Sequence, residues 1–309
     1  MGKIKLLLRF ILGLPLTIFA LYFVFRFISA YWPQVSRQIE HINYLLFVLG
    51  LIVFSIFFLF RCIVWDKLLE IEGYDVPLLQ SIYILSLAEI KRYIPGNFVG
   101  LVSRLNSYNH LKISISKLLK MVVYESTIFF LTSLIISIPG VFYLANFSEN
   151  TIKTYLSTIG IILLFLFMLI IILIFISKQF LRGTKDVLQH MHKYKPTFIY
   201  MVISWCFYGL GNFLIAASIN HVSPMDIISI SSFFVLAWVV GYVVIIAPLG
   251  LGVREAFVTY GLAFLMPIGI AASIAVITRV AMVISELIFL AGSYLIYKST
   301  IDKKKKLKS

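Results

Sequence analysis

An all-α polytopic membrane protein is the fold class this sequence predicts, and three observations predict it. Hydrophobic residues make up 61% of the 309, and the mean hydropathy is +1.00, far above a soluble domain of average usage. Only 13% of the residues are charged. Apolar runs long enough to cross about 30 Å of hydrocarbon recur along the chain.

Six runs read as transmembrane helices: residues 6–28, 43–64, 121–144, 154–177, 198–219 and 271–297. The first follows Lys3, Lys5 and Arg9. Its apolar run is about twice a signal-peptide core and no small-x-small cleavage site follows, so it reads as a retained helix. Two further stretches, 80–98 and 231–266, are apolar but interrupted by Pro and Gly. Each predicts a span, a half-helix or a re-entrant hairpin. Cys62 and Cys206 lie in or at the end of apolar runs, where sulfur packs as a small hydrophobe, and no disulfide framework or zinc spacing is present. His190-Met-His192 has no further ligand nearby, so neither a metal nor a cofactor is expected. The organisation predicted is one transmembrane domain, 1–300, with halves of about 1–150 and 151–300, then a basic tail, 301–309.

Positive charge orders the topology. Lys and Arg cluster before the first run, in 104–120, in 178–195 and from Lys298 to Lys308, whereas 29–42, 145–153 and 220–230 are poor in them. The positive-inside rule then puts both termini in the cytoplasm, and the expected location is the plasma (cytoplasmic) membrane. The stretch 80–98 is bracketed by cytoplasmic loops, while 231–266 follows an outer loop. As hairpins they enter from opposite faces, which makes an inverted pair. Read instead as two full spans, 231–249 and 253–268 give eight crossings with the same termini. A glutamate follows each break, Glu125 at 30 residues from Pro95 and Glu286 at 38 from Pro248, which is a weak repeat signal.

The breaks carry the charges. Glu89, Lys91 and Arg92 precede Pro95, Gly96, Asn97 and Gly100, with Arg104 behind them. Glu89 and Arg92, three apart on one helical face, can form a local ion pair. Where the helix is interrupted, freed backbone groups and a guanidinium fork converge, which suits a phosphate. The other reading puts 89–92 at the headgroup level with its side chains snorkelling. In the second break, Pro248, Gly250 and Gly252 lead into Arg254 and Glu255. A helix restarting there offers free N–H groups to an anion; the other reading is an interfacial turn with a surface ion pair. Arg279 and Glu286 lie seven apart on one face, which must look into the protein, either as a buried pair or as independent cargo contacts. Glu125 needs a cationic partner or a proton, and Arg104 or Arg279 would serve as the cation. Lys91, Arg92, Arg104, Arg254 and Arg279 against Glu89, Glu125, Glu255 and Glu286 leave a net +1, which favours an anionic cargo group. Arg26 and Arg61, near the ends of their runs, are expected to snorkel to water. The lysine-rich tail suits anionic cytoplasmic lipid, and no nucleic-acid partner is expected.

The string Tyr93-Ile-Pro-Gly-Asn-Phe-Val-Gly100 with Arg104, and Pro248-Leu-Gly-Leu-Gly-Val-Arg-Glu255 with Thr278, Arg279 and Glu286, resembles the transmembrane region of lysylphosphatidylglycerol synthase/flippase proteins and their stand-alone relatives. The resemblance runs from about Trp65 to Tyr297. In bifunctional members an aminoacyl-transferase domain follows, and none fits the run Lys303 to Ser309. The resemblance implies a lipid translocase moving an anionic or headgroup-modified phospholipid, or a lipid-linked intermediate, and no catalytic residue. A membrane-embedded transferase with Glu89 or Glu125 as general base, or a non-catalytic partner of a separate glycosyl- or aminoacyl-transferase, is the alternative. Against the transferase stand the missing Asp-rich diphosphate motif and the missing His–carboxylate pair within a span.

Overall fold

The computed structural model describes residues 26, 29, 32, 33, 35–91, 99–108, 113–146, 191–243 and 252–306. The elements among them are helices: α1 (Tyr44–Ile71), α2 (Leu78–Lys91), α3 (Val99–Ser107), α4 (Ile115–Asn146), α5 (Met191–Ile219), α6 (Ile227–Val243), α7 (Val253–Leu262) and α8 (Ile268–Lys306), with a 3-10 turn, Pro224–Asp226, leading into α6. Four of the expected spans are present as α1, α4, α5 and α8, each extended beyond its apolar run. The expected spans 6–28 and 154–177 lie outside the described residues. With its leading turn, α6 is also long and apolar enough to cross a membrane.

Local chemistry sets the ends of α1. The Asn43 side-chain oxygen accepts hydrogen bonds from the Leu45 and Leu46 N–H groups at 3.1 and 3.2 Å, meeting donors that a helix start leaves orphaned. At the other end Gly73 takes φ +85°. The Tyr74 and Gly73 N–H groups then donate back to the Leu69 and Glu70 carbonyls, the paired bonds of a glycine-terminated helix.

The four helices α1–α4 recur in order as α5–α8: long, intermediate, short, long. Exchanging the two sets leaves the pattern of packing unchanged. The pairs α1–α2, α2–α3, α3–α4, α1–α4, α1–α8 and α2–α8 have counterparts in α5–α6, α6–α7, α7–α8, α5–α8, α5–α4 and α6–α4. The most extensive contact is between the equivalent helices α1 and α5. They run antiparallel: the Asn43 N–H donates to the Ser218 carbonyl at one end, Phe57 meets Trp205 and Tyr208 midway, and Phe60 meets Tyr200 further on. Gly50 packs on Ile215 and Gly211 on the Phe54 ring, with no room for a Cβ at either glycine. Small residues at such a crossing let two backbones approach where lipid supplies no hydrophobic drive. Equivalent helices that run antiparallel make the two halves inverted copies of each other.

Each half contains a hairpin. Gly241 of α6 faces Arg254 of α7, and Phe233 of α6 faces Gly261 and Phe257 of α7, so the two arms are antiparallel. The ten residues of α7 rise about 15 Å, half of what a crossing needs. This corrects the reading of 253–268 as a full span. The nine residues of α3 are shorter still, about 14 Å.

Candidate functional site

In the first half the charges gather where α1, α2, α3 and α4 meet. Arg61 of α1 lies 3.0 Å from Glu89 of α2 and 3.6 Å from Glu125 of α4. Arg104 of α3 bonds Glu125 at 2.7 Å. Its guanidinium lies 3.3 Å from the centre of the Trp65 ring, and Trp65 is fixed by donating its indole N–H to the Tyr108 hydroxyl at 2.8 Å. A buried guanidinium is tolerable when carboxylates and an aromatic face replace its hydration. Lys91 donates to Ser103 at 2.8 Å, tying the arms α2 and α3 together across residues 92–98. Gly100 is buried at the start of α3.

Two expectations change here. Arg61 does not snorkel: its side chain is 13% exposed, because α1 continues to Ile71 and holds Arg61 well inside the helix, under the Phe129 ring. Sequence reading missed it as a site residue; the signal available was that a lone arginine in so apolar a run calls for a carboxylate. Glu89 pairs with Arg61, whereas Arg92, its expected partner, lies outside the described residues together with Pro95, Gly96 and Asn97. Of the two cations offered to Glu125, it is Arg104 that pairs with it.

In the second half the hairpin α6–α7 carries Arg254 and Glu255, both buried, so the surface ion pair of the interfacial-turn reading is not what forms. Pro248 and Gly250 lie outside the described residues. Gly252, at φ +82°, caps α7. Its N–H donates to the Glu255 carboxylate at 2.7 Å, so the chain's own carboxylate occupies the helix start that sequence reading offered to an anion. The other Glu255 oxygen lies 3.7 Å from Arg279 of α8. Arg279 is thus paired with Glu255, and Glu286 lines a different cavity with Arg61, Glu89, Ser86 and Phe289. Arg254 and Arg279 also border a cavity of their own, with Tyr208, Asn212, Glu255 and Thr278 on its wall.

Arg254 is the exception among these arginines. It donates to the Tyr208 hydroxyl and lies 5.8 Å from the centre of the Trp238 ring, and among the described residues no carboxylate comes within ion-pair distance of it. Gly241, near the C-terminal end of α6, leaves the space that the Arg254 stem fills.

Inverted helical halves, each with a broken hairpin that buries an arginine, define an integral membrane protein with polar groups held inside its helix bundle. Within that class the chain belongs to the lysylphosphatidylglycerol synthase transmembrane-region family, whose family model matches residues 10–289. No curated protein matches it.

Proposed function

We propose that this protein is a lipid translocase that lets an anionic phospholipid headgroup, or that of a lipid-linked intermediate, cross the membrane past the Arg254 cavity while the lipid tails stay in the bilayer. The observation that carries this reading is the charge at that cavity: among the described residues, Arg254 and Arg279 border it against the single carboxylate of Glu255, and none of those residues brings a carboxylate within ion-pair distance of Arg254. An uncompensated guanidinium inside a membrane protein is costly, and such groups mark substrate paths. Broken helices in corresponding places of inverted halves support the same reading, as does membership of a family tied to a membrane lipid. The Glu89 and Glu125 carboxylates are engaged by guanidinium groups, which favours an ion-pair role over that of general base in a transferase. The basic loops support a cytoplasmic membrane location with both termini inside.

The test is translocation of fluorescent phosphatidylglycerol and fluorescent phosphatidylcholine in proteoliposomes of the purified chain. We expect faster movement of the anionic lipid, loss of that movement in Arg254→Ala, and near wild-type rates in Arg26→Ala, whose side chain is exposed. Equal transport by Arg254→Ala, or by both lipids, overturns the proposal.

A further inference from the structure

The halves repeat in helix order and packing, but not in charge. Arg104 and Arg254 stand 9 and 6 residues beyond the prolines, so they are not register equivalents, but their settings correspond: each is buried on the short arm of its hairpin, and each contacts an aromatic side chain of the first long helix of its half. For Arg104 that side chain is Trp65 of α1; for Arg254 it is Tyr208 of α5. What approaches from the fourth helix differs. Glu125 stands 10 residues beyond Ile115, the start of α4, and Arg279 stands 11 residues beyond Ile268, the start of α8. Counted from the prolines, the spacings are 30 and 31, so Arg279, and not Glu286, is the counterpart of Glu125. At matching points the first half carries a carboxylate and the second a guanidinium.

Glu125 therefore does for Arg104 what nothing among the described residues does for Arg254. It accepts a hydrogen bond from Arg104 at 2.7 Å and lies 3.6 Å from Arg61. Carboxylate and phosphate oxygens meet the guanidinium fork in the same way. Trp65, anchored by Tyr108, holds Arg104 in place independently of Glu125. We propose that the Arg61–Arg104 cluster is a second phosphate site, kept closed by the Glu125 carboxylate, which stands where a phosphate oxygen stands when a headgroup binds at Arg254. The inference rests on the reading of Arg254 as the headgroup site. It makes the first half a self-filled copy of the second, and Glu125 the residue that decides how many headgroups one chain holds.

The experiment is calorimetric titration of the purified full chain in detergent with two probes in separate arms, dihexanoylphosphatidylglycerol and inorganic phosphate. We expect one lipid site in the wild type, two in Glu125→Gln, none in Arg254→Ala and one in the double variant. Gain of a site for both probes assigns the cluster to phosphate in general, and gain for the lipid alone assigns it to a headgroup in its bilayer setting; both support the inference. An unchanged stoichiometry in Glu125→Gln for both probes overturns it. A site retained in Arg254→Ala instead overturns the reading of Arg254. Where Glu125→Gln fails to fold, Arg61→Gln/Glu125→Gln removes one charge of each sign and leaves Arg104 on Trp65. Two sites are expected there, and one site overturns the proposal.

Discussion

Arg104 and Glu125 are 2.7 Å apart with side chains 8% and 6% exposed, whereas Lys67 pairs with Glu70 on an outer face where the glutamate is 64% exposed. The same two charge types differ in worth because only the first pair has lost its water. Breaking it strands Arg104 inside the protein, which costs about 3–5 kcal/mol, whereas an exposed pair contributes about 0–1 kcal/mol. Glu125→Gln should therefore lower the unfolding midpoint in detergent by far more than Lys67→Ala, and equal losses in the two variants would count against a buried network. At this scale the sequence showed which residues carry charge inside apolar runs, and it offered Arg104 or Arg279 to Glu125 without choosing between them. It could not show that Arg61 joins Glu125, because that depends on Glu89 and Phe129 arriving from helices distant in the chain. The Arg279–Glu286 pairing failed for a related reason. Seven residues along a helix set a common face, but Glu255, coming from α7, reaches Arg279 from outside that helix.

Helix contacts are set by the small residues on their faces. A Cβ at Gly140 of α4 would lie 2.6 Å from the Phe233 backbone nitrogen of α6, whereas one at Gly292 of α8 would meet nothing within 4 Å. Backbone cannot yield as a side-chain tip can, so Gly140→Ala should lose about 1–3 kcal/mol by overpacking. Gly292→Ala should be neutral, or should gain up to about 1 kcal/mol of helix propensity. Thermal unfolding of the two variants checks this, and a neutral Gly140→Ala would mean that α4 and α6 do not approach so closely. The long helices were legible from hydropathy because each carries its apolar run whole. The hairpins were legible only as interruptions: Pro and Gly mark a break, but the same composition fits a full span and a half-helix. What separates them is where the chain stops being helical, at Leu262 of α7, and that depends on the packing of α7 against α6 and α8.

At the scale of the molecule, the inverted arrangement of the described helices follows from one contact, α1 against α5. Charge in the loops already placed the two hairpins on opposite faces; the antiparallel packing of equivalent helices supplies the same relation from geometry. The loop after α1 and the loop after α5 then lie at opposite ends of one helix pair. Asp75 and Met225 mark these loops, and both are exposed. Single cysteines at these positions, in a Cys206→Ala background that leaves only the buried Cys62, can be labelled in intact cells and in inside-out vesicles with a reagent that does not cross membranes. The account predicts that Asp75→Cys reacts only in the vesicles and Met225→Cys only in the cells; reaction of both from the same face would contradict it.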